Sequence, residues 1–225
     1  MLTPERHTSE PSRPTLLIAT TNAGKFREFA TLLGELPIAL TSLADFPGAP
    51  EVAEDGATYA ANATHKALTL ARWSHCAALA DDSGLEVDAL HGAPGVQSAR
   101  YAGPEQDSAA NIAKLLAALQ TVPVTRRAAR FRCVIAVARP DGATLTAEDT
   151  CEGRILDAPH GNAGFAYDPV FLYLPLGQTF GEIPADVKNR LSHRARACHR
   201  LLPQLMAFLK TPAAAGLQPR GKSVS

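Results

Sequence analysis

No stretch of this chain is apolar for long enough to cross a membrane, because its longest apolar runs fall well short of the roughly 20 residues a span requires. The opening MLTPERHTSEPSRP lacks the apolar core of a signal peptide, so a cytoplasmic protein with no membrane partner is expected. Net charge is lacking too. Twenty-two Lys and Arg stand against 22 Asp and Glu, so no overall field favours nucleic acid or an anionic surface, and any anion site must be local. Cysteine is scarce. Cys76, Cys133, Cys151 and Cys198 lie far apart without a C-x-x-C pair, which argues against a disulfide framework or a zinc knuckle and for reduced, mostly buried thiols. There is no G-x-S-x-G elbow and no H-E-x-x-H, and His193 and His199 do not share a helix face, so serine-hydrolase and zinc readings both fail. No internal repeat is present.

What the sequence does contain is enough apolar material, 46% of 225 residues, for a full core in one domain or one domain of two lobes. Residues 1–13 and 211–225 are rich in Pro, Ser, Gly and charge without apolar periodicity and read as tails, leaving a single domain over 14–210. Strand-like runs (16–19, 38–43, 77–80, 130–139, 144–152, 169–174) alternate with helix-like ones (25–33, 58–73, 107–120 and 188 to about 209). That alternation predicts an α/β fold with a mixed sheet. In the last helix Val187, Leu191, Ala195, Cys198, Leu202, Leu205 and Leu209 form a core-facing stripe, and Pro203 is expected to kink it.

The segment LLIATTNAGKFREFATLL has the layout of a phosphate-binding turn: an apolar run, a polar turn with one glycine and one lysine, then a helix. It is not a P-loop, because Ala19 and Phe26 stand where that template requires Gly and Ser or Thr. The ingredients of an anion site remain, in free N–H groups at a helix start, the hydroxyl and amide of Thr20 and Asn22, and Lys25. Read alone, the stretch serves equally well as a structural turn. In ALADDSGLEVDAL a strand runs into Asp81-Asp82-Ser83-Gly84, and adjacent carboxylates repel unless a hard cation such as magnesium or several donors relieve them. An Asp-Ser-Gly turn with both acids in water is the plainer alternative.

Upstream, Glu54 and Asp55 precede a helix on which Thr58, Asn62 and Lys66 form one polar stripe, facing either a cleft or solvent with Asp55 as helix cap. GNAGFAYDPVF sets Phe165 and Tyr167 beside Asp168, which suits a base pocket or simply a strand start in the core. KNRLSHRARACHRLL crowds Lys188, His193 and Arg194 with other bases, mostly a solvated helix face. Ser192-His193-Arg194 differs in being able to meet one anionic ligand or base edge.

In this order, Thr20-Thr21-Asn22-Ala23-Gly24-Lys25, Glu54 with Gly56, Asn62-Ala63 with Lys66, Asp81-Asp82-Ser83-Gly84-Leu85, Gly92-Ala93-Pro94-Gly95 leading to Ser98-Ala99-Arg100-Tyr101, Phe165-Ala166-Tyr167-Asp168-Pro169, and Ser192-His193-Arg194 resemble the inosine triphosphate pyrophosphatase family. The resemblance spans about Leu16 to Leu209. It implies an elongated mixed sheet flanked by helices, two lobes around a cleft, a homodimer, and hydrolysis of ITP, dITP and XTP to the monophosphate and pyrophosphate. It further implies that Thr20 to Lys25 hold the triphosphate, with Lys66 and Lys188 adding charge. Asp82 becomes general base and magnesium ligand with Asp81 and Glu54 assisting, Ser83 touches substrate, and Phe165 to Asp168 with His193 and Arg194 enclose the purine. A nucleotide-binding module without activity, or a pyrophosphatase of other nucleotides, are the alternatives. One departure bears on geometry: Ala166 replaces the family's glycine, and a methyl fits there unless that residue takes positive φ.

Overall fold

The computed structural model describes residues 13–211, so the expected tails lie outside it apart from Arg13 and Thr211. Seven strands, β1 (Thr15–Ile18), β2 (Ala39–Ser42), β3 (Ala77–Val87), β4 (Ala128–Ala138), β5 (Thr144–Ile155), β6 (Phe171–Tyr173) and β7 (Gln178–Thr179), form one sheet. Its order is β2-β1-β3-β4-β5-β6-β7. β1 runs parallel to both neighbours, and every later pair is antiparallel. The mixed sheet expected from the sequence is therefore present. Among the described residues five α-helices accompany it: α1 (Ala23–Leu33), α2 (Tyr59–Ser74), α3 (Ser108–Ala118), α4 (Ala185–Leu191) and α5 (His193–Lys210).

Strand alternation divides the core. Leu16 and Ile18 point to the face covered by α1 and α5, where they meet Phe29, Leu33, Cys198, Leu201 and Leu205. Leu17 points the other way, to the alanine-rich face of α2 (Ala63, Ala67, Leu70). Each fully buried leucine contributes about 1.5–3 kcal/mol by leaving water. A third cluster, Leu85, Phe131, Tyr167, Phe171 and Phe180 among others, fills the far end of the long strands. Three cysteines are buried, Cys76 is partly exposed, and all four are free, as expected.

The elements differ from the sequence expectation in ways that shape the site. β3 does not end at Ala80: it continues through Asp81-Asp82-Ser83-Gly84 to Val87, paired throughout with β4. The expected helix from Lys188 is broken at Ser192, whose backbone is extended (φ −67°, ψ 160°) and whose hydroxyl accepts the N–H of Ala195 to cap α5. α5 then runs on through Pro203 to Lys210 as one helix. Thr58, not Asp55, caps α2 by accepting the N–H of Ala61 at 3.1 Å. The segment expected as a strand from Pro169 begins as a 3-10 turn over Asp168–Val170. Among the described residues no helix is long and apolar enough to cross a membrane.

Candidate active site

The cleft exists because β1 is short. β1 stops at Ile18, opposite Leu79, while β3 continues for eight more residues. Beside the unpaired stretch of β3 the chain returns as a bridge from Pro94 to Glu86 and a 3-10 helix, Gly95–Arg100. Ser98 fixes that return by accepting the N–H of Leu85 at 2.8 Å. Between it and the start of α1 lies a cleft at the carboxyl end of a parallel strand, where open α/β sheets bind ligands. Its lining includes Asn22, Lys25, Glu54, Asp82, Ser83, Phe165, Ala166, Tyr167, Asp168, Lys188, His193 and Arg194.

The opening turn is held as a capped helix start. The Thr20 hydroxyl accepts the N–H of Asn22 (3.1 Å), and the Asn22 side-chain oxygen accepts those of Gly24 (2.8 Å) and Lys25 (3.1 Å), capping α1. Among the described residues no acceptor meets the N–H of Thr21 or Ala23, so two donors and the positive end of an eleven-residue helix are left without a protein partner there. Gly24 has a separate reason to be glycine: a Cβ there would lie 3.1 Å from the Phe165 ring and 3.0 Å from the Asn22 side-chain oxygen.

Asp81 and Asp82 are split by the pleat. Because they are consecutive in a strand, their side chains leave opposite faces of the sheet. Asp81 joins Lys25 (3.0 Å), Arg194 (3.2 Å) and the Ser83 hydroxyl on the α1 and α5 face. Burial alone would raise its pKa, yet Lys25 and then Arg194 hold it well below the carboxylate range. Asp82 lies on the α2 face and accepts from the Asn62 amide at 2.8 Å; Asn62 in turn accepts the N–H of Gly56. Burial, with the charges of Glu54 and Asp81 adding to it, pushes Asp82 up to about 6 against the Asn62 bond.

Of Glu54, Asp81 and Asp82, the three acids expected to serve magnesium, Asp81 lies on the opposite face of the sheet from Asp82 and pairs with two cations. Among the described residues no three His, Cys, Asp or Glu side chains gather as a metal cage. Asp82 and Glu54 still fit a magnesium ion, which takes one or two carboxylates and completes its shell with water and phosphate. Asp82 is a cleft carboxylate raised by burial and like charge, the state a hard cation relieves. Lys66 reaches Glu54 at 2.5 Å and does not itself line the cleft.

The other end of the cleft is aromatic and ionic. Phe165 lies between the Gly24 turn and the Lys188 ammonium, 4.5 Å from its ring centre. Tyr167 is buried, donating to the carbonyl of Ser98 at 2.8 Å, and so ties this segment to the Gly95–Arg100 helix. Asp168 accepts from the Phe165 N–H (2.7 Å) and Lys188 (2.7 Å), while burial pushes its pKa up despite that lysine. Lys188, expected to add charge for the triphosphate, is buried at the aromatic end between Asp168 and Glu28 (3.2 Å). His193 stacks on Phe131 at 4.8 Å, its Nδ1 buried without a partner among the described residues, and burial followed by Arg194 and Lys188 pushes its pKa well below the ordinary imidazole value. Arg194 is fully buried, bonded to Asp81, Glu28 and Ser83.

Glu28 escaped the sequence reading although it is central, bridging Arg194 and Lys188. Burial would raise its pKa, but those two cations outweigh it and leave it lowered. The available signal was a lone acid adjoining Phe29 on the inner side of α1. Arg100, Gln106, Ser108 and Phe131 also line the cleft without having been assigned a role.

A protein-family model described as the Ham1 family matches residues 16–204. A protein named dITP/XTP pyrophosphatase from Syntrophobacter fumaroxidans is 54% identical over 195 residues, 87% of this chain and 83% of that protein. Another of that name from Geobacillus kaustophilus is 53% identical over 187 residues, 83% of this chain and 91% of its own length. Among solved structures, a HAM1 protein from Coxiella burnetii superposes with a TM-score of 0.79 at 37% identity, covering 86% of this chain and 99% of that one. A nucleoside-triphosphatase, dITP/XTP pyrophosphatase, from Mycobacterium abscessus superposes with a TM-score of 0.68 at 41% identity, covering 85% and 99%.

Proposed function

Because the chain belongs to the Ham1 family, we propose that it hydrolyses deaminated purine nucleoside triphosphates (ITP, dITP and XTP) to the monophosphate and pyrophosphate. The observation that carries this reading is Asp82. Among the described cleft-lining residues it is the one carboxylate with no cation within 4.0 Å, and it stands beside a helix-start anion cradle.

In this reading the triphosphate lies along the α1 turn. The N–H groups of Thr21 and Ala23 and the Lys25 ammonium meet its oxygens. Lys66 keeps Glu54 in place at 2.5 Å. Asp82, oriented by Asn62, takes a proton from the attacking water; the water oxygen joins the monophosphate and the bridging oxygen leaves with the pyrophosphate. Glu54 and Asp82 would hold magnesium, which when bound would supply charge neutralisation on the phosphates. No covalent nucleophile takes part.

The purine stacks at the Phe165 end. His193, whose buried Nδ1 has no partner among the described residues, is the reader of the 6-oxo group, since the Arg194 donors are engaged by Asp81, Glu28 and Ser83. Adenine, with an amino group there, leaves a buried donor unpaired at a cost of about 1–3 kcal/mol. A homodimer and a cytoplasmic place of action belong to the same proposal, the former testable by sedimentation.

The deciding experiment measures pyrophosphate release from ITP, XTP, dUTP, GTP and ATP with magnesium. Rapid release from ITP and XTP alone supports the proposal. Release of orthophosphate, or equal turnover of ATP, overturns it. Asp82→Asn, nearly isosteric, should still bind nucleotide while losing about 100-fold or more in turnover.

A further inference from the structure

The cations of the cleft are nearly all neutralised by the protein itself. Lys25 pairs with Asp81, Lys188 with Asp168 and Glu28, and Arg194 with Glu28 and Asp81. Arg100 is different. It lines the cleft from the end of the Gly95–Arg100 helix, half-buried, and among the described residues no carboxylate lies within the 4.0 Å of an ion pair. Its recorded bond goes from Nη2 to the main-chain carbonyl of Glu54, at 2.6 Å. A carbonyl accepts the bond without cancelling the charge, so among the described residues the guanidinium keeps N–H groups without a protein acceptor, in a partly dry site.

The bond to Glu54 also says where Arg100 points. Glu54 carries the carboxylate that meets Lys66 and whose charge acts on Asp82, so Arg100 stands on the wall of the cleft that holds those two acids. The backbone around Arg100 is pinned on every side. Ser98 bonds Leu85, the Asn111 amide donates to the carbonyl of Ala99 (2.9 Å) and accepts the N–H of Ala102 (2.6 Å), and Lys114 donates to the carbonyl of Tyr101 (2.5 Å). A rigidly mounted, unneutralised planar fork is suited to two oxygens of a phosphate.

We propose that Arg100 is a substrate-binding residue that clamps the diphosphoryl part of the nucleotide, opposite the α1 turn, and takes up the negative charge left on it when the anhydride breaks. The proposal rests on the pyrophosphohydrolase reading, since it identifies what the free charge is for. Lys25 would have to share its charge with Asp81 to do the same; among the described residues Arg100 has no carboxylate to share with.

The test is calorimetric binding of inorganic pyrophosphate, and separately of inosine monophosphate, in magnesium buffer to the wild type, Arg100→Met and Arg100→Lys. Arg100→Met should weaken pyrophosphate about 10- to 100-fold and leave the monophosphate within about twofold. Arg100→Lys, which keeps charge but loses the fork, should fall between, and it carries the test should the Met variant not fold. Pyrophosphate binding unchanged in both variants, a parallel loss of both ligands, or no pyrophosphate binding by the wild type overturns the clamp. Because no turnover is read, failure of the hydrolase proposal shows separately, as orthophosphate release or ATP turnover in the assay above.

Discussion

At Ala166 the backbone takes φ 53°, a left-handed conformation that costs an L-residue with a Cβ about 1–2 kcal/mol relative to glycine. The condition attached to the methyl, that it fits unless φ is positive, is thus met in the unfavourable sense. Ala166→Gly should raise stability by about 0.5–1 kcal/mol, after allowing for the extra freedom of glycine in the unfolded chain, and denaturant titration would read it. A loss of stability would mean that the Ala166 side chain, which packs against the distal core, contributes more than its strain. Residue roles were legible where they are local: Asn22 caps the helix that it begins, so TTNAGK could be read within a few positions. Glu28 could not, because its meaning comes from Lys188 and Arg194, which approach it only through the fold.

Elements were legible by periodicity and misread by composition. Asp-Asp-Ser-Gly has the makeup of a turn, yet it is the middle of a strand, and its glycine answers to close approach. A Cβ on Gly84 would sit 2.4 Å from the carbonyl oxygen of Gly95, 2.7 Å from the Ser98 hydroxyl and 2.7 Å from that of Tyr59. Gly84→Ala should therefore cost about 1–3 kcal/mol by pushing the Gly95–Arg100 helix off β3. Thermal melting gives the size of the effect, and a neutral result would show that this packing yields freely. The break between α4 and α5 was hidden for the opposite reason: the apolar stripe continues across Ser192, and only the capping bond marks the new start. Ser192→Ala should cost about 1 kcal/mol, measured the same way.

Across the whole molecule, Lys25, Asp81, Arg194, Glu28, Lys188 and Asp168 form one chain of alternating charge, buried except at the half-buried Lys25, joining α1, β3, α4, α5 and the turn before β6. Removing an interior member strands charges out of water, so Glu28→Ala should cost about 3–5 kcal/mol. Cutting the exposed Asp186–Arg190 pair should cost almost nothing. Since the Glu28 pKa is lowered from its ordinary 4.5, its contribution is complete above about that pH and disappears as pH falls through the folded value. Stability of the wild type should accordingly fall more steeply below about pH 4.5 than that of Glu28→Gln, as urea titrations across pH 3–6 would register. A steeper fall in the variant would contradict the sign of this linkage.

The division of labour between Asp81 and Asp82 is held in nothing but the parity of β3. Delete one residue upstream within the strand and every later side chain changes sides. Asp82 would inherit the place between Lys25 and Arg194, Ser83 would face Asn62, and the cleft would lose the carboxylate that no cation had claimed. The chemistry of this site therefore depends on a count, odd or even, along one strand.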